Sequence, residues 1–207
     1  MAVDSGVARR KIKLVIEATL RGKVFFSKDN YIDEFNRGCD HVASLIESAF
    51  HLYQLGFYPT SAFISITAIE EIAKLEIAIY RHEGTTEPLR HRRQDCLFSH
   101  KAKHSIALQE TIASGTRLRE VIGEERVREL LDMGETGRLV EIREKSLYVN
   151  VVNGKFTIPS DVVSKLDSRD LLLLALEVWD DRLVGLTNHT YEIDERMVRI
   201  FECVKNS

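Results

Sequence analysis

Charged residues interrupt the most apolar stretch of the chain. Glu70, Glu71 and Lys74 fall within residues 62–79, where most positions are Ala, Ile, Leu or Phe. A spacing of four places Glu70 and Lys74 on one face of a helix, in the order that favours an ion pair. On a solvated face such a pair adds only about 0.2–0.5 kcal/mol. Inside a helical bundle the same charges need partners, and partnered charges of that kind often form a functional site.

A second group of candidate residues follows in the segment Ser-His-Lys-Ala-Lys-His, residues 99–104. In a helix, His100 shares a face with Lys103 and His104. A histidine can serve as the general base of RNA cleavage, and neighbouring lysines can hold the phosphate. Two histidines four apart can also bind a metal, but no HExxH motif accompanies them, so no metal and no cofactor is predicted. The competing interpretation is a solvated helix start with a basic face.

Arg143 and Tyr148 form a third candidate group, in the segment Arg-Glu-Lys-Ser-Leu-Tyr. Arginine can bind a carboxylate or a phosphate through two parallel hydrogen bonds, and tyrosine carries a hydroxyl on a rigid ring. Without further context, the same residues describe a helix end with a core tyrosine.

The elements that must position these residues are mostly helices. Apolar side chains recur every three to four residues over 33–56, and Gly56 ends that helix. The next helix is predicted from a cap at Thr60 to about Glu83, and its apolar character on nearly every side predicts a central place in the bundle. Further helices are predicted at 96–114, at 117–133, at 137–146, from about Ser168 with Asp167 as its cap, and at 190–204.

A β-hairpin is predicted between the helices. Asn153-Gly154 separates two β-prone runs within residues 147–158, and this dipeptide is typical of a two-residue hairpin turn. Because an isolated hairpin is only marginally stable in water, it should lie against the bundle. The sequence therefore predicts an all-α fold, an antiparallel up-and-down helical bundle with one small hairpin near 147–158.

The N-terminal residues 1–29 stand apart from the predicted helical domain, residues 30–207. Residues 9–24 are basic and only weakly amphipathic. A solvated basic arm is the favoured interpretation, and an extra helix is the alternative.

Composition restricts the class of protein. The chain is 44% hydrophobic and 29% charged, as in ordinary globular proteins. Its net charge of −3 gives no global basic field for nucleic acid, although a local cluster could bind it. Three distant cysteines without CxxC spacing favour a reducing compartment over a disulfide framework. No export signal and no run long enough to span a bilayer is found, which predicts a cytoplasmic protein with no membrane partner.

In the order and content of four pieces, the chain resembles the AbiV abortive-infection family, a branch of the HEPN-type helical bundles. The pieces are LYQLGFYPTSAFISITAIEEIAK, then FSHKAKH about 25 residues later, then REKSLYVN before a glycine turn and a proline, and a closing aliphatic helix. The resemblance covers about residues 30–205 and leaves residues 1–29 unaccounted for.

The resemblance implies an antiparallel helical bundle, often a homodimer, that acts in abortive phage infection. Many HEPN proteins are metal-independent endoribonucleases whose signature is an arginine, four to six residues, and then a histidine. Two pairs fit this spacing, Arg93…His100 and Arg182…His189, but so loose a pattern also arises by chance. The first pair is favoured because His100 belongs to the FSHKAKH piece.

The main hypothesis is a phage-defence effector that acts on RNA or on the translation machinery as a metal-independent endoribonuclease. His100 or His104 would be the base for attack by a ribose 2′-hydroxyl, and Glu70 and Lys74 would orient the reacting groups. The predicted phosphate-binding residues are Arg93, Lys101, Lys103, Arg143 and Tyr148. A phage-encoded trigger protein is a further candidate partner.

Two alternatives are kept. The first is a non-catalytic helical module that dimerises or binds a protein, in which the Glu-Glu-x-x-Lys strip is structural. The second is a bundle that binds a small nucleotide. A homodimer is also favoured by the aliphatic run Leu171–Leu174, although a core helix explains that run almost as well. A nuclease requires His100 to meet Glu70 and Lys74 in one cleft, and an interaction module does not.

Overall fold

The computed structural model describes residues 5–108, 116–152 and 154–207. Within them, nine α-helices and one two-stranded sheet form a helical bundle with a small hairpin, which confirms the predicted all-α class. The helices are α1 (Ser5–Leu20), α2 (Tyr31–Gln54), α3 (Tyr58–Ala78), α4 (His100–Ala107), α5 (Thr116–Ile122), α6 (Glu124–Thr136), α7 (Arg138–Lys145), α8 (Lys165–Arg182) and α9 (Asn188–Lys205), and the strands are β1 (Asn150–Val152) and β2 (Lys155–Thr157).

Helix α3 is the central element, as its all-round apolarity predicted. It packs against α2, α8, α4 and α7, and none of its residues is exposed. It begins at Tyr58 rather than after a cap at Thr60, because Pro59 in the first turn has the fixed φ that a helix start needs. It ends at Ala78, several residues before the predicted end at Glu83.

Helix α2 covers one side of α3 with the apolar face that the sequence predicted. Its buried residues are Phe35, Cys39, Val42, Ala43, Ile46, Ala49 and Tyr53. The two helices approach closely at Gly38, where an added Cβ would lie 2.5 Å from Cδ2 of Leu75. Together these contacts form the larger part of the core on this side of α3.

Helix α8 covers a further side of α3 and also contacts α2. It begins at Lys165, because Ser164 caps it in a reciprocal capping box with Asp167. The predicted start near Ser168 was therefore late, and Asp167 is the third residue of the helix rather than its cap. All four leucines of Leu171–Leu174 are buried within this chain, so the run is explained by the core and is not an indication of a dimer.

The predicted helices at 96–114 and 117–133 are both interrupted. The first consists of a short 3-10 turn, Cys96–Phe98, and α4, which ends at Ala107. The remainder of the predicted helix, residues 109–114, lies outside the described residues. The second is divided into α5 and α6 at Gly123, whose φ of +83° is unfavourable for other residues. The segment at 137–146 forms α7 as predicted.

The N-terminal segment is a helix packed on the bundle, not the solvated arm that the sequence favoured. Ala18 of α1 is fully buried, and α1 contacts α3 and α4. Just after the helix, the backbone of Glu87 donates to Leu20 O (2.8 Å) and accepts from Gly22 N (3.0 Å). The weak amphipathicity of residues 9–24 did not show this docking, because backbone groups near the end of the helix anchor it in addition to the packing of Leu14, Val15 and Ala18.

The hairpin forms in the predicted place. Asn150 is opposite Thr157, and Val152 is opposite Lys155, while Asn153 of the predicted turn lies outside the described residues. The prediction that the hairpin lies against the bundle is wrong for the pair Val151 and Phe156, which are 63% and 62% exposed. The hairpin therefore presents apolar side chains to its surroundings.

Candidate functional site

The carboxylate of Glu70 is the centre of the candidate site. Glu70 lies midway along α3 and is only 2% exposed. Because α3 is enclosed by other helices, a charged side chain at this position must find its partners on them. Helices α4 and α7, which both pack against α3, supply those partners.

One face of α4 contacts both oxygens of this carboxylate. His100 Nδ1 lies 2.7 Å and Lys103 Nζ lies 2.6 Å from Oε2, while His104 Nε2 lies 3.1 Å from Oε1. The spacing of three and four residues brings these side chains to one side of the helix. The start of α4 is set by Ser99, whose hydroxyl accepts a hydrogen bond from the backbone N–H of Ala102.

Helix α7 adds an arginine from the other direction. Nε of Arg143 lies 3.6 Å from Oε1 of Glu70. The guanidinium carbon of Arg143 lies 4.6 Å from the ring centroid of Phe63, which, like Glu70, is a residue of α3. Stacking on the aromatic ring holds the guanidinium plane while its terminal nitrogens keep their capacity to bind an anion.

These contacts keep Glu70 ionised. Burial on its own would raise the pKa of the Glu70 carboxyl. The contacts with His104, Lys103 and His100, together with the charge of Lys103, outweigh burial and lower that pKa to about 2. The carboxylate can therefore only accept hydrogen bonds, so His100 must donate from Nδ1. In neutral His100, Nε2 is then the basic nitrogen.

The partners differ in their access to a substrate. The side chains of His104 and Lys103 are 0% and 7% exposed, so they cannot be reached from outside. Those of His100 and Arg143 are 44% and 21% exposed. The site thus has a buried layer that holds Glu70 and an accessible edge formed by His100 and Arg143.

The charge of the site is suited to an anion. Lys103 and Arg143 together carry one positive charge more than Glu70 neutralises. In the described part of the chain, no group of three or more His, Cys, Asp or Glu side chains is arranged to hold a metal ion. Beside Glu70, the ammonium of Lys103 takes the position that a cation would need at Oε2.

The family model HEPN_AbiV, described as AbiV, matches residues 35–180. The chain belongs to the HEPN_AbiV family. Membership indicates a role in abortive infection, the defence of bacteria against phage. The comparisons with curated proteins and with solved structures find no match. No helix in the described ranges is both long and apolar enough to cross a membrane.

The region matched by HEPN_AbiV contains every residue of the Glu70 cluster, whereas α1 and α9 lie outside it. One expected member is missing from the cluster. Lys74 forms its ion pair with Glu71 at 2.6 Å, not with Glu70 as the spacing predicted. The Glu70 carboxylate turns instead toward α4 and α7, where four partners are available.

Three further candidate residues lie away from the HEPN_AbiV cluster. Arg93 is exposed on a 3-10 turn, Arg92–Gln94. Lys101 is exposed on α4, and its stem lies near Gly137. Tyr148 is 64% exposed and lines a cavity with Glu141, Glu144 and Lys145, whose acidic groups outnumber the basic one, which is unfavourable for a phosphate.

The second Arg…His pair of the HEPN_AbiV chain is engaged elsewhere. Arg182 lies 3.4 Å from Glu76 and 3.1 Å from Asp181, measured between ion-paired atoms. His189 Nε2 lies 2.8 Å from Asp40 Oδ1 on α2. These contacts join α8 and α9 to α3 and α2, so a structural role accounts for them.

Proposed function

We propose that this HEPN_AbiV protein is an abortive-infection effector that cleaves RNA without a metal ion, and that His100 is its general base. The observation that carries the proposal is the 2.7 Å contact between His100 Nδ1 and the buried carboxylate of Glu70. A carboxylate that fixes the tautomer and orientation of a partly exposed histidine is the arrangement used in general-base catalysis.

The proposed reaction is an internal transfer of phosphate. His100 Nε2 takes the proton of a ribose 2′-hydroxyl, and the 2′-oxygen forms a bond to the adjacent phosphorus. The bond from phosphorus to the 5′-oxygen then breaks, and that oxygen takes a proton from the imidazolium or from water. The products are a 2′,3′-cyclic phosphate and a 5′-hydroxyl, so no redox partner and no metal is required.

The remaining residues of the cluster have supporting roles in this scheme. Arg143 stabilises the charge of the reacting phosphate, since it is partly exposed and keeps its terminal nitrogens for binding. Lys103 and His104 are buried and act through Glu70, so they are positioning residues. Arg93 and Lys101 lie at the surface and contribute to the binding of an RNA strand.

The proposed setting is the cytoplasm of a bacterium, with cellular RNA or the translation machinery as the target and a phage-encoded protein as the trigger. The family resemblance also supports a homodimer. A residue of the partner copy is not needed for the scheme above.

Replacing His100 tests the proposal. His100→Ala should abolish growth arrest on overexpression and protection against phage, because loss of a general base typically lowers the rate about 10²–10⁴-fold. His189→Ala is the matched control, since His189 also contacts a carboxylate but lies on α9. Purified His100→Ala should likewise fail to cleave RNA, whereas purified His189→Ala should cleave it. Circular dichroism checks that both variants are folded. If His189→Ala is inactive and His100→Ala is active, the C-terminal pair carries the chemistry.

A second candidate function is a non-catalytic module that binds a second copy of this chain. The observation that favours it is the exposed hairpin, where Val151 and Phe156 face the same side without cover in this chain. Two such hairpins can bury these side chains against each other and pair their free strand edges. If both histidine variants keep full protection against phage, this function replaces the nuclease.

A further inference from the structure

A cavity lies between the N-terminal segment and the loop that precedes α4. Its volume of about 460 Å³ falls in the range of small-molecule sites. Two phenylalanine rings and three basic side chains are found on its wall. These residues are Phe25, Phe98, Lys23, His91 and Arg92. The cavity does not include any residue of the Glu70 cluster.

A buried ion pair forms the rigid floor of this cavity. Arg81 is 1% exposed and contacts Asp95 through two hydrogen bonds of 2.8 and 2.9 Å. It also donates to Ala18 O (2.7 Å) and to Lys23 O (3.0 Å). Asp95 accepts two more hydrogen bonds, from the backbone N–H groups of Lys23 and Leu97. The Asp95 charge is therefore neutralised and does not offset the basic groups on the wall.

The wall combines aromatic faces with cations. The rings of Phe25 and Phe98 are 6.2 Å apart between centroids and inclined by 31°. The guanidinium carbon of Arg92 lies 4.0 Å from the centroid of Phe98, and the ammonium of Lys23 lies 5.8 Å from that of Phe25. A guanidinium that lies over a ring keeps its N–H groups at the edge, where they can hold a phosphate.

We propose that this cavity binds a nucleoside phosphate, either as a free nucleotide or as one unit of an RNA strand. A base would stack on the phenylalanine rings, and its phosphate would contact Arg92 and Lys23. Phe98 lines the cavity and stands two residues before His100 in the chain, so an RNA unit bound here would lie near the start of α4. Binding of a free nucleotide does not depend on the proposed RNA cleavage, whereas the role of an RNA unit rests on it.

Isothermal titration calorimetry with the full chain tests this proposal. The probes are AMP, adenosine, inorganic phosphate and a single-stranded hexanucleotide with 2′-O-methyl groups, which lacks the attacking hydroxyl and so cannot be cleaved. Arg92→Gln removes the stacked cation, and Arg90→Gln is the matched control, because Arg90 is exposed two residues earlier and does not line the cavity. Phe98→Leu tests the aromatic wall, and thermal melting confirms that each variant is folded.

We expect AMP to bind more tightly than adenosine or phosphate, and Arg92→Gln to weaken AMP binding by about tenfold, which corresponds to the loss of one charge-assisted contact. Arg90→Gln should change the affinity less than about twofold. If only the hexanucleotide binds, and Arg92→Gln weakens it, the ligand is a unit of an RNA strand. The proposal is overturned if neither AMP nor the hexanucleotide binds, if phosphate binds as tightly as AMP, or if the folded variants Arg92→Gln and Phe98→Leu bind AMP and the hexanucleotide like the parent chain. His100→Ala should leave AMP binding unchanged, which separates this site from the proposed cleavage.

Discussion

At the scale of single residues, the ionised Glu70 has a measurable effect on stability. Its pKa is lowered from 4.5 to about 2 in the folded chain, so its ionisation favours folding above pH 4.5 and this gain is lost as the pH falls toward 2. The shift corresponds to on the order of 3 kcal/mol at pH 7. Denaturant unfolding of the parent chain and of Glu70→Gln should show a difference at pH 7 that falls by more than half at pH 3. A difference that does not depend on pH would contradict the ionised, multiply bonded carboxylate.

The two lysines of α4 provide a matched comparison. Lys103→Met should lower the free energy of unfolding by about 3–5 kcal/mol, because it leaves the buried Glu70 carboxylate without its shortest charged contact. Lys101→Met, two residues earlier at the surface, should change it by less than about 0.5 kcal/mol. Urea unfolding of both variants measures the difference. Equal effects of the two substitutions would show that Lys103 is not part of the buried layer.

The sequence predicted most of the residues of the candidate site but not how they are connected. The polar strip on an apolar helix drew attention to Glu70, and helical spacing put His100, Lys103 and His104 on one face, where all three contact that carboxylate. The choice of partner could not be predicted, because local spacing favours Lys74 for Glu70 whereas packing brings α4 and α7 to it. That choice depends on contacts between residues far apart in the chain.

At the scale of elements, the central place of α3 leads to a clear prediction. Ile69 and Ile72 are fully buried on this helix, so Ile69→Asp or Ile72→Asp should unfold the protein or make it insoluble, since each puts an unpaired charge in the core. Ile16→Asp on α1 is the control, because Ile16 is 51% exposed. Soluble yield and thermal melting distinguish the two core variants from the control. Parent-like melting of Ile69→Asp would place α3 at the periphery.

The docking of the N-terminal helix depends on a glycine. Gly22 has a φ of +136°, and an added Cβ would lie 2.3 Å from Nη1 of Arg81. Gly22→Ala should therefore cost about 2 kcal/mol or more, from backbone strain and from displacement of the buried Arg81–Asp95 pair. Gly84→Ala, where φ is +84° but no atom lies within 4 Å of the added Cβ, should cost only the strain, about 1 kcal/mol. Thermal unfolding measures both.

The elements also show where sequence periodicity is informative. The buried face of α2 followed from spacing, and the pairing of the two hairpin strands followed from turn chemistry; both were predicted in the right place. The start of α8 was misplaced because Ser164 and Asp167 form a reciprocal capping box. The N-terminal helix was predicted to be a solvated tail because its local pattern does not show the anchors that hold it, which are backbone hydrogen bonds and Arg81. Such anchors are formed by residues far apart in sequence, so a local pattern cannot show them.

At the scale of the whole molecule, we expect a homodimer that forms through the hairpin. Multi-angle light scattering should give twice the chain mass of 23.7 kDa, about 47 kDa, at micromolar concentration. Phe156→Asp should shift the protein to the monomer, because it places a charge among the exposed apolar side chains of the hairpin. Tyr191→Asp is the control, since Tyr191 is similarly exposed at 58% but lies on α9. A monomeric parent chain would rule out the dimer.

The wide separation of the Glu70 partners along the chain has a consequence for biosynthesis. Glu70 leaves the ribosome well before α4 and α7. Its carboxylate lacks its ion-pair contacts until the chain has been made through His100, Lys103, His104 and finally Arg143. An incomplete nascent chain therefore cannot hold the carboxylate and the histidine in their final geometry. We expect ribosome-bound fragments that end before Arg143 to be inactive. The effector would then become active in its host only when synthesis has passed Arg143.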